Sequence, residues 1–161
     1  MDWKFVQIGI IVDDIERVAD NWRRLLGKEP FVDGYCPPFS DTPTFDYGEP
    51  SDCSDVRFIK FRMDDAHVIA LFCPGEKDNP WRRFRDERGE GFMFCEFKVD
   101  DVDAAYAELG EAIGVGQPYH FGLYPKSYYS LADTQDALGF QLNFTHSADY
   151  TAQIAEATGR A

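Results

Sequence analysis

Apolar residues crowd together in Phe5-Val6-Gln7-Ile8-Gly9-Ile10-Ile11-Val12, after which the pattern relaxes to Ile15, Val18, Ala19, Trp22, Leu25 and Leu26. The dense run predicts a buried strand over 4–12, and the i, i+3, i+4, i+7 stripe predicts an amphipathic helix. Asp13 or Asp14 supplies its N-cap and Gly27 its left-handed C-cap. Eighty-seven positions later the succession returns: Phe92 to Val99, then Asp100-Asp101, then a stripe at Val102, Ala105, Leu109 and Ile113 that closes at Gly114. At that offset Phe5/Phe92, Val12/Val99, Asp13/Asp100, Asp14/Asp101 and Gly27/Gly114 are identical. So long a period describes two copies of one supersecondary module, not a solenoid.

Between and after these units the pattern is shorter in range. Val56–Met63 and Ala66–Cys73 alternate as a hairpin around Asp64-Asp65. A two-residue loop there would pair Ile59 with Ala70, Phe61 with Val68 and Arg57 with Phe72, with Ile59, Phe61 and Met63 facing the core and Lys60 and Arg62 facing out. Residues 30–55 hold five of the nine prolines together with Phe31, Tyr35, Phe39, Phe45 and Tyr47. That stretch reads as a short strand and a long loop over something apolar. Asn79-Pro80 opens a short helix that Gly89 ends. Gln117–Phe121, Tyr128–Ala132 and Gly139–Thr145 complete the strands, and Ser147 caps a terminal helix. The expected organisation is a single domain over 1–161, with modules at 3–74 and 92–146, a linker helix within 75–91 and a C-terminal helix within 147–158.

The formal net charge of −13 over 161 residues excludes a phosphate-binding surface of the nucleic-acid kind and implies no nucleic-acid partner. Cys36, Cys53, Cys73 and Cys95 form no CxxC pair and show no metal-ligand spacing. No signal peptide and no run of membrane-spanning length is visible, so a cytoplasmic protein with no membrane partner is expected.

Three stretches carry a family resemblance: Gln7-Ile8-Gly9-Ile10-Ile11-Val12-Asp13-Asp14 with Trp22 and Gly27; Phe84-Arg85-Asp86-Glu87-Arg88-Gly89-Glu90-Gly91; and Val99-Asp100-Asp101-Val102. With the final Gly139-Phe140-Gln141-Leu142 strand they resemble the vicinal oxygen chelate (glyoxalase/bleomycin-resistance) superfamily, in its methylmalonyl-CoA epimerase-like branch. The resemblance implies an α+β fold of two βαβββ modules forming a cup-shaped, barrel-like mixed sheet, and a homodimer or a tightly paired single-chain cup. It also implies four metal-binding positions in the cup. Here these are Gln7, Ala70 (in Ala70-Leu71-Phe72-Cys73-Pro74), Phe94 (in Gly89-Glu90-Gly91-Phe92-Met93-Phe94) and Gln141. Alanine and phenylalanine offer no lone pair, and two neutral amide oxygens hold a divalent ion poorly. The expected cofactor is therefore none.

Side chains of the same parity as those positions should face the cup. Glu96, two residues beyond Phe94, would be desolvated there and its pKa lifted toward that of a useful general base. In the alternative, the strand twists and Glu96 meets solvent or pairs with Lys98 or Arg57. Gln7, Gln141 and Asn143 either hydrogen-bond a carbonyl or enolate oxygen or are satisfied core amides. His120 at the rim is an acid or base partner or a packing residue, and Tyr124, Tyr128 and Tyr129 can supply a phenol. Glu96, His120 and Tyr124 are thus the candidate catalytic residues. Gln7, Arg57, Phe61, Ala70, Phe94, Tyr128, Gln141 and Asn143 are the candidates for binding substrate.

The resemblance supplies a reaction type, racemisation or epimerisation next to a carbonyl, and some relatives racemise isoflavanones. The aromatic composition then points to a small apolar, neutral aromatic ketone rather than a coenzyme A ester. A non-catalytic binder of aromatic or drug-like molecules needs the same cup but no acid or base, and a metal-free interaction protein needs neither.

Overall fold

The computed structural model describes residues 2–160. The first module runs β1 (Lys4–Ile11), α1 (Ile15–Leu26), β2 (Val32–Tyr35), β3 (Thr44–Asp46), β4 (Glu49–Ser51), β5 (Arg57–Arg62) and β6 (Val68–Cys73). Helix α2 (Pro80–Arg88) links it to β7 (Gly91–Lys98), α3 (Val102–Ile113), β8 (His120–Tyr124), β9 (Ser127–Ala132), α4 (Gln135–Leu138), β10 (Gln141–His146) and α5 (Thr151–Ala157). The Asp-Asp punctuation works as read. Asp14 Oδ1 accepts from the Arg17 amide and Asp101 Oδ1 from the Ala104 amide, while Gly27 and Gly114 close their helices in the left-handed region.

Ten strands form one mixed sheet in the order β2-β5-β6-β1-β7-β10-β9-β8-β3-β4. Each module pairs its first strand in parallel with its last, β1 with β6 and β7 with β10, and β1 meets β7 antiparallel at the centre. Helix α1 buries Ile15 and Ala19 against Ile59, Phe61, Ile69 and Leu71, and α3 buries Ala105, Tyr106 and Leu109 against Leu142 and Phe144. On the opposite face Ile11, Ala70, Phe72, Trp81, Phe84, Met93 and Phe94 make a third cluster, covered by α2. A sheet clothed by helices on one side and curled around an apolar interior on the other is the expected α+β cup.

The central β1–β7 ladder is interrupted twice. Phe5 pairs with Phe97 but Gln7 with Glu96, leaving Val6 as an extra residue; Gly9 pairs with Phe94 but Ile10 with Phe92, leaving Met93 as the other. Val6 and Met93 are themselves separated by the offset of the repeat, so both copies carry the same bulge. Bulges bend a strand and re-aim its side chains, and this pair brackets the Gln7–Gly9 and Phe94–Glu96 segment.

Four expectations need correction. The hairpin register is Ile59 to Leu71, Phe61 to Ile69 and Arg57 to Cys73, one residue away from the register expected of a two-residue loop. Asp64 Oδ1 accepts from the amides of both Ala66 and His67, which widens the turn so that Met63 closes on His67. Within the stretch read as a long loop, β3 and β4 form a hairpin turned at Tyr47-Gly48, both with positive φ, and β3 joins β8 of the other module. The strand expected over 117–121 lies at His120–Tyr124 instead. The last helix starts after Tyr150, so Ser147 does not cap it. Among the described residues no helix is long and apolar enough to cross a membrane.

Candidate functional site

Inside the cup, between the two modules, lies a cavity of about 510 Å³. Strands β1, β5 and β6 contribute Gln7, Phe58, Lys60, Arg62, Val68 and Phe72; β7 to β10 contribute Phe94, Glu96, Tyr124, Ser127, Tyr129, Asn143 and Thr145. Trp81 of α2 and the Phe31, Val32 and Cys36 segment complete the wall. The volume falls in the range that holds a drug-sized ligand, and an aromatic wall with a few convergent polar groups is what such sites carry. Burial pushes the Cys36 thiol up to about 12, so it is neutral wall and not a nucleophile.

The polar groups lie in one row across the sheet. Gln7 pairs with Glu96 on one side of β7, and Asn143 pairs with Glu96 on the other. Gln7 Nε2 donates to Glu96 Oε2 at 2.9 Å. Burial raises the Glu96 pKa, with Lys60 opposing the shift through its charge. Burial wins because a carboxylate without full hydration is costly in an aromatic chamber. Asn143 is buried and its Oδ1 has no partner among the described residues. A half-turn of that amide offers an N–H instead, so it can present either polarity to a ligand. Tyr124 lines the same chamber, its phenol raised by burial with the Glu96 charge adding to the effect.

One strand-step further in, the row reads Ala70, Gly9, Phe94, Gln141. The Phe94 ring lies flat on Gly9, where an added Cβ would sit 2.2 Å from Phe94 Cε1. Gly9 is therefore required by its neighbour's size. Phe94 and Ala70 join the cluster beneath the cavity, and Gln141 Oε1 accepts from the Tyr119 hydroxyl at 2.5 Å. Of the four positions that hold metal in the resembled superfamily, two thus have no donor and one has its oxygen engaged. Among the described residues no cluster of His, Cys, Asp or Glu is placed to hold a metal ion. This residue set does not fit a tightly bound divalent ion.

Behind the wall runs a second polar chain. Asp46 on β3 stands directly opposite His120 on β8, with Oδ1 and Nδ1 3.5 Å apart and without other partners among the described residues. Arg83 of α2 donates to the other oxygen of Asp46 at 2.5 Å. His120 Nε2 lies 3.0 Å from the Tyr129 hydroxyl. Burial lowers the His120 pKa against the pull of Asp46, so the imidazole is neutral near pH 7; a proton on Nδ1 facing Asp46 leaves Nε2 to accept from Tyr129. Tyr129 carries the chain to the cavity, its ring packed on Gly122 where a Cβ would be 2.2 Å from Cε1.

The structure brings together Glu96, Tyr124, Gln7, Phe94 and Asn143 of the residues singled out by sequence. Six others do not line the cavity. His120 is fully buried behind Tyr129. Arg57 pairs with Glu16 and Asp33. Phe61 packs under α1, Ala70 is covered within the floor cluster, and Gln141 is tied to Tyr119. Tyr128 lines a separate shallow surface depression with Tyr150 and Asp101. Conversely, sequence reasoning placed Lys60 and Arg62 outside, because the one-residue register slip turned β5 over; both line the cavity. The structure adds Trp81 and Asp46 as well. The Tyr-Gly turn of β3–β4 was the one signal that could have located Asp46.

The fold has counterparts among solved structures. The chain superposes on a hypothetical protein from Bacillus halodurans C-125 with a TM-score of 0.66 at 19% identity, covering 92% of this chain and 97% of that one. It superposes on the methylmalonyl-CoA epimerase of Mycobacterium tuberculosis with a TM-score of 0.62 at 18% identity, covering 93% and 91%. For a variant of the Streptomyces coelicolor methylmalonyl-CoA epimerase in complex with 2-nitronate-propionyl-CoA the values are 0.60 at 20% identity, covering 90% and 94%. At such identities the likeness is one of fold. No curated protein matches the sequence. Residues 6–115, well over half of the chain, match the profile of the Glyoxalase/Bleomycin resistance protein/Dioxygenase superfamily. The repeated module, the paired first and last strands and this match agree: the chain belongs to that superfamily.

Proposed function

We propose that the protein is a metal-independent isomerase, a racemase or epimerase that moves the proton next to the carbonyl of a small apolar compound, with an aromatic ketone of isoflavanone size as the model ligand. One observation carries the reading: Glu96 opens onto an aromatic cavity with its carboxyl desolvated and steadied by Gln7. A base whose pKa is lifted toward neutrality suits removal of a weakly acidic C–H.

The proton inventory is then simple. With His120 neutral at rest, one direction begins from the neutral Glu96 acid and the neutral imidazole: Tyr129 passes its hydroxyl proton to His120 Nε2 as it takes the α-proton, and Glu96 gives its proton to the opposite face of the enolate carbon. Glu96 ends as the carboxylate and His120 as the imidazolium, which is the starting state for the reverse reaction, in which Glu96 is the base. Asp46 steadies the imidazolium, and Asn143 or Tyr124 donates to the enolate oxygen, work that a metal does elsewhere.

The test is uptake of deuterium from solvent at the α-carbon of aryl ketones, followed by proton NMR. The wild-type protein should exchange at the same rate before and after chelation. Glu96→Gln, which keeps shape and the acceptor for Gln7, should slow exchange by at least about a hundredfold, the usual contribution of a general base. Exchange at the wild-type rate in that variant would move the base elsewhere. Ketones that bind without exchange in the wild type would favour a binding protein.

A further inference from the structure

Lys60 and Arg62 alternate with Ile59 and Phe61 along β5, so that the apolar pair goes under α1 and the two cations line the cavity. Among the described residues neither forms an ion pair, although Arg57 on the same strand binds two carboxylates. Each cation lies against an aromatic ring instead: Lys60 Nζ is 5.5 Å from the centroid of Phe58, and Arg62 Cζ is 4.2 Å from that of Phe31. Arg62 and Phe31 are exposed and mark the mouth. The chain as a whole has 29 acidic against 16 basic residues. Placing two cations without ion-pair partners in one recess runs against that composition, and a recess with low-dielectric walls focuses their field.

We infer that the cavity takes a carbonyl ligand with an anionic group, a carboxylate, sulfonate or phosphate on an aromatic body, and that Arg62 at the mouth and Lys60 one row further in hold the anion while the rings of Phe31 and Phe58 hold the body. This rests on the isomerase reading for the carbonyl, and adds an anionic group to the neutral aromatic ketone taken there as the model ligand. Lys60 cannot be spent on Glu96 alone, because no ion pair joins them and Arg62 has no carboxylate in reach among the described residues. An acid group at the mouth would also fix the ligand's register, holding its carbonyl end over the Glu96 row. A neutral ketone of the same size has no such anchor.

A matched pair of fluorescent probes separates charge from body: 8-anilinonaphthalene-1-sulfonate and N-phenyl-1-naphthylamine, the same rings without the sulfonate. The wild-type protein should bind the sulfonate at least about tenfold more tightly than the neutral amine, a difference of about 1.4 kcal/mol. The K60Q/R62Q variant should lose that factor for the sulfonate, leave the amine within about threefold, and keep its melting temperature. K126Q, a change at a cation outside the cavity, should leave both affinities unchanged. Equal affinities in the wild type, or an undiminished sulfonate affinity in K60Q/R62Q, would overturn the inference. The isomerase reading fails separately. If Glu96→Gln leaves exchange intact while the probes discriminate as expected, that reading falls and the anion site stands. If neutral ketones exchange through Glu96 while the probes do not discriminate, the reverse holds.

Discussion

Strands β1 and β7 are copies of one another, yet they furnish the site unequally. In β1 the equivalent positions hold Gln7 and Gly9; in β7 they hold Phe94 and Glu96. Because the strands run antiparallel, each residue of one copy faces the other's unlike partner: Gln7 meets Glu96, and Gly9 meets Phe94. The first contact is a hydrogen bond and the second a ring laid on bare backbone. A repeat with identical residues at these positions could give one of these contacts twice but never both. Divergence has turned a symmetric ladder into one polar row at the cavity and one apolar row beneath it, and the polar row is where a carboxylate can be both desolvated and held.

Cutting into that asymmetry should have graded effects. Phe94→Ala removes a fully buried ring and should cost about 3–5 kcal/mol in chemical denaturation. Gly9→Ala forces its methyl group against the same ring and should cost about 1–3 kcal/mol. Adding Phe94→Ala to Gly9→Ala should destabilise by less than the sum, since the clash disappears with the ring, and strict additivity would separate the two positions. Tyr129→Phe leaves His120 Nε2 buried without its donor and should cost about 1–3 kcal/mol while also lowering any exchange activity.

A smaller effect depends on pH. The folded-state pKa of Glu96 lies above its unfolded value, so its stabilising contribution is full below the unfolded value and is lost as pH rises through the folded one. Glu96→Gln has no such loss. Relative to the wild type it should gain melting temperature as pH rises from about 5 to about 8, and a constant difference across that window would remove the desolvation argument. His120, with its pKa lowered by burial, acts in the opposite sense, losing stability as pH falls below the unfolded histidine value, but it does so equally in both proteins.

The sequence is legible where local chemistry and fold coincide. Asp14 and Asp101 cap, Gly27 and Gly114 stop, and the offset between copies identifies the cup and the inward parity of Glu96. It misleads where a side chain alters a turn. Asp64 binds two amides and shifts the β5–β6 register by one, which is enough to send Lys60 and Arg62 inward and Phe61 under a helix. The partnership of Asp46 and His120 depends on a pairing between modules, β3 on β8, that no local period records. His120 draws notice as a titratable ring among aromatics, but it reaches the cavity's chemistry only through Tyr129.

The proposed mechanism turns on the ionisation of one carboxyl. Carbon-13 NMR titration of the side-chain carboxyls, with Glu96 assigned by the resonance missing from Glu96→Gln, measures it directly. Glu96 should titrate above the usual glutamate range and move further up in Lys60→Gln, which removes the opposing charge. Titration at or below the usual range would mean that the carboxyl is hydrated or paired, and would contradict the proposed base.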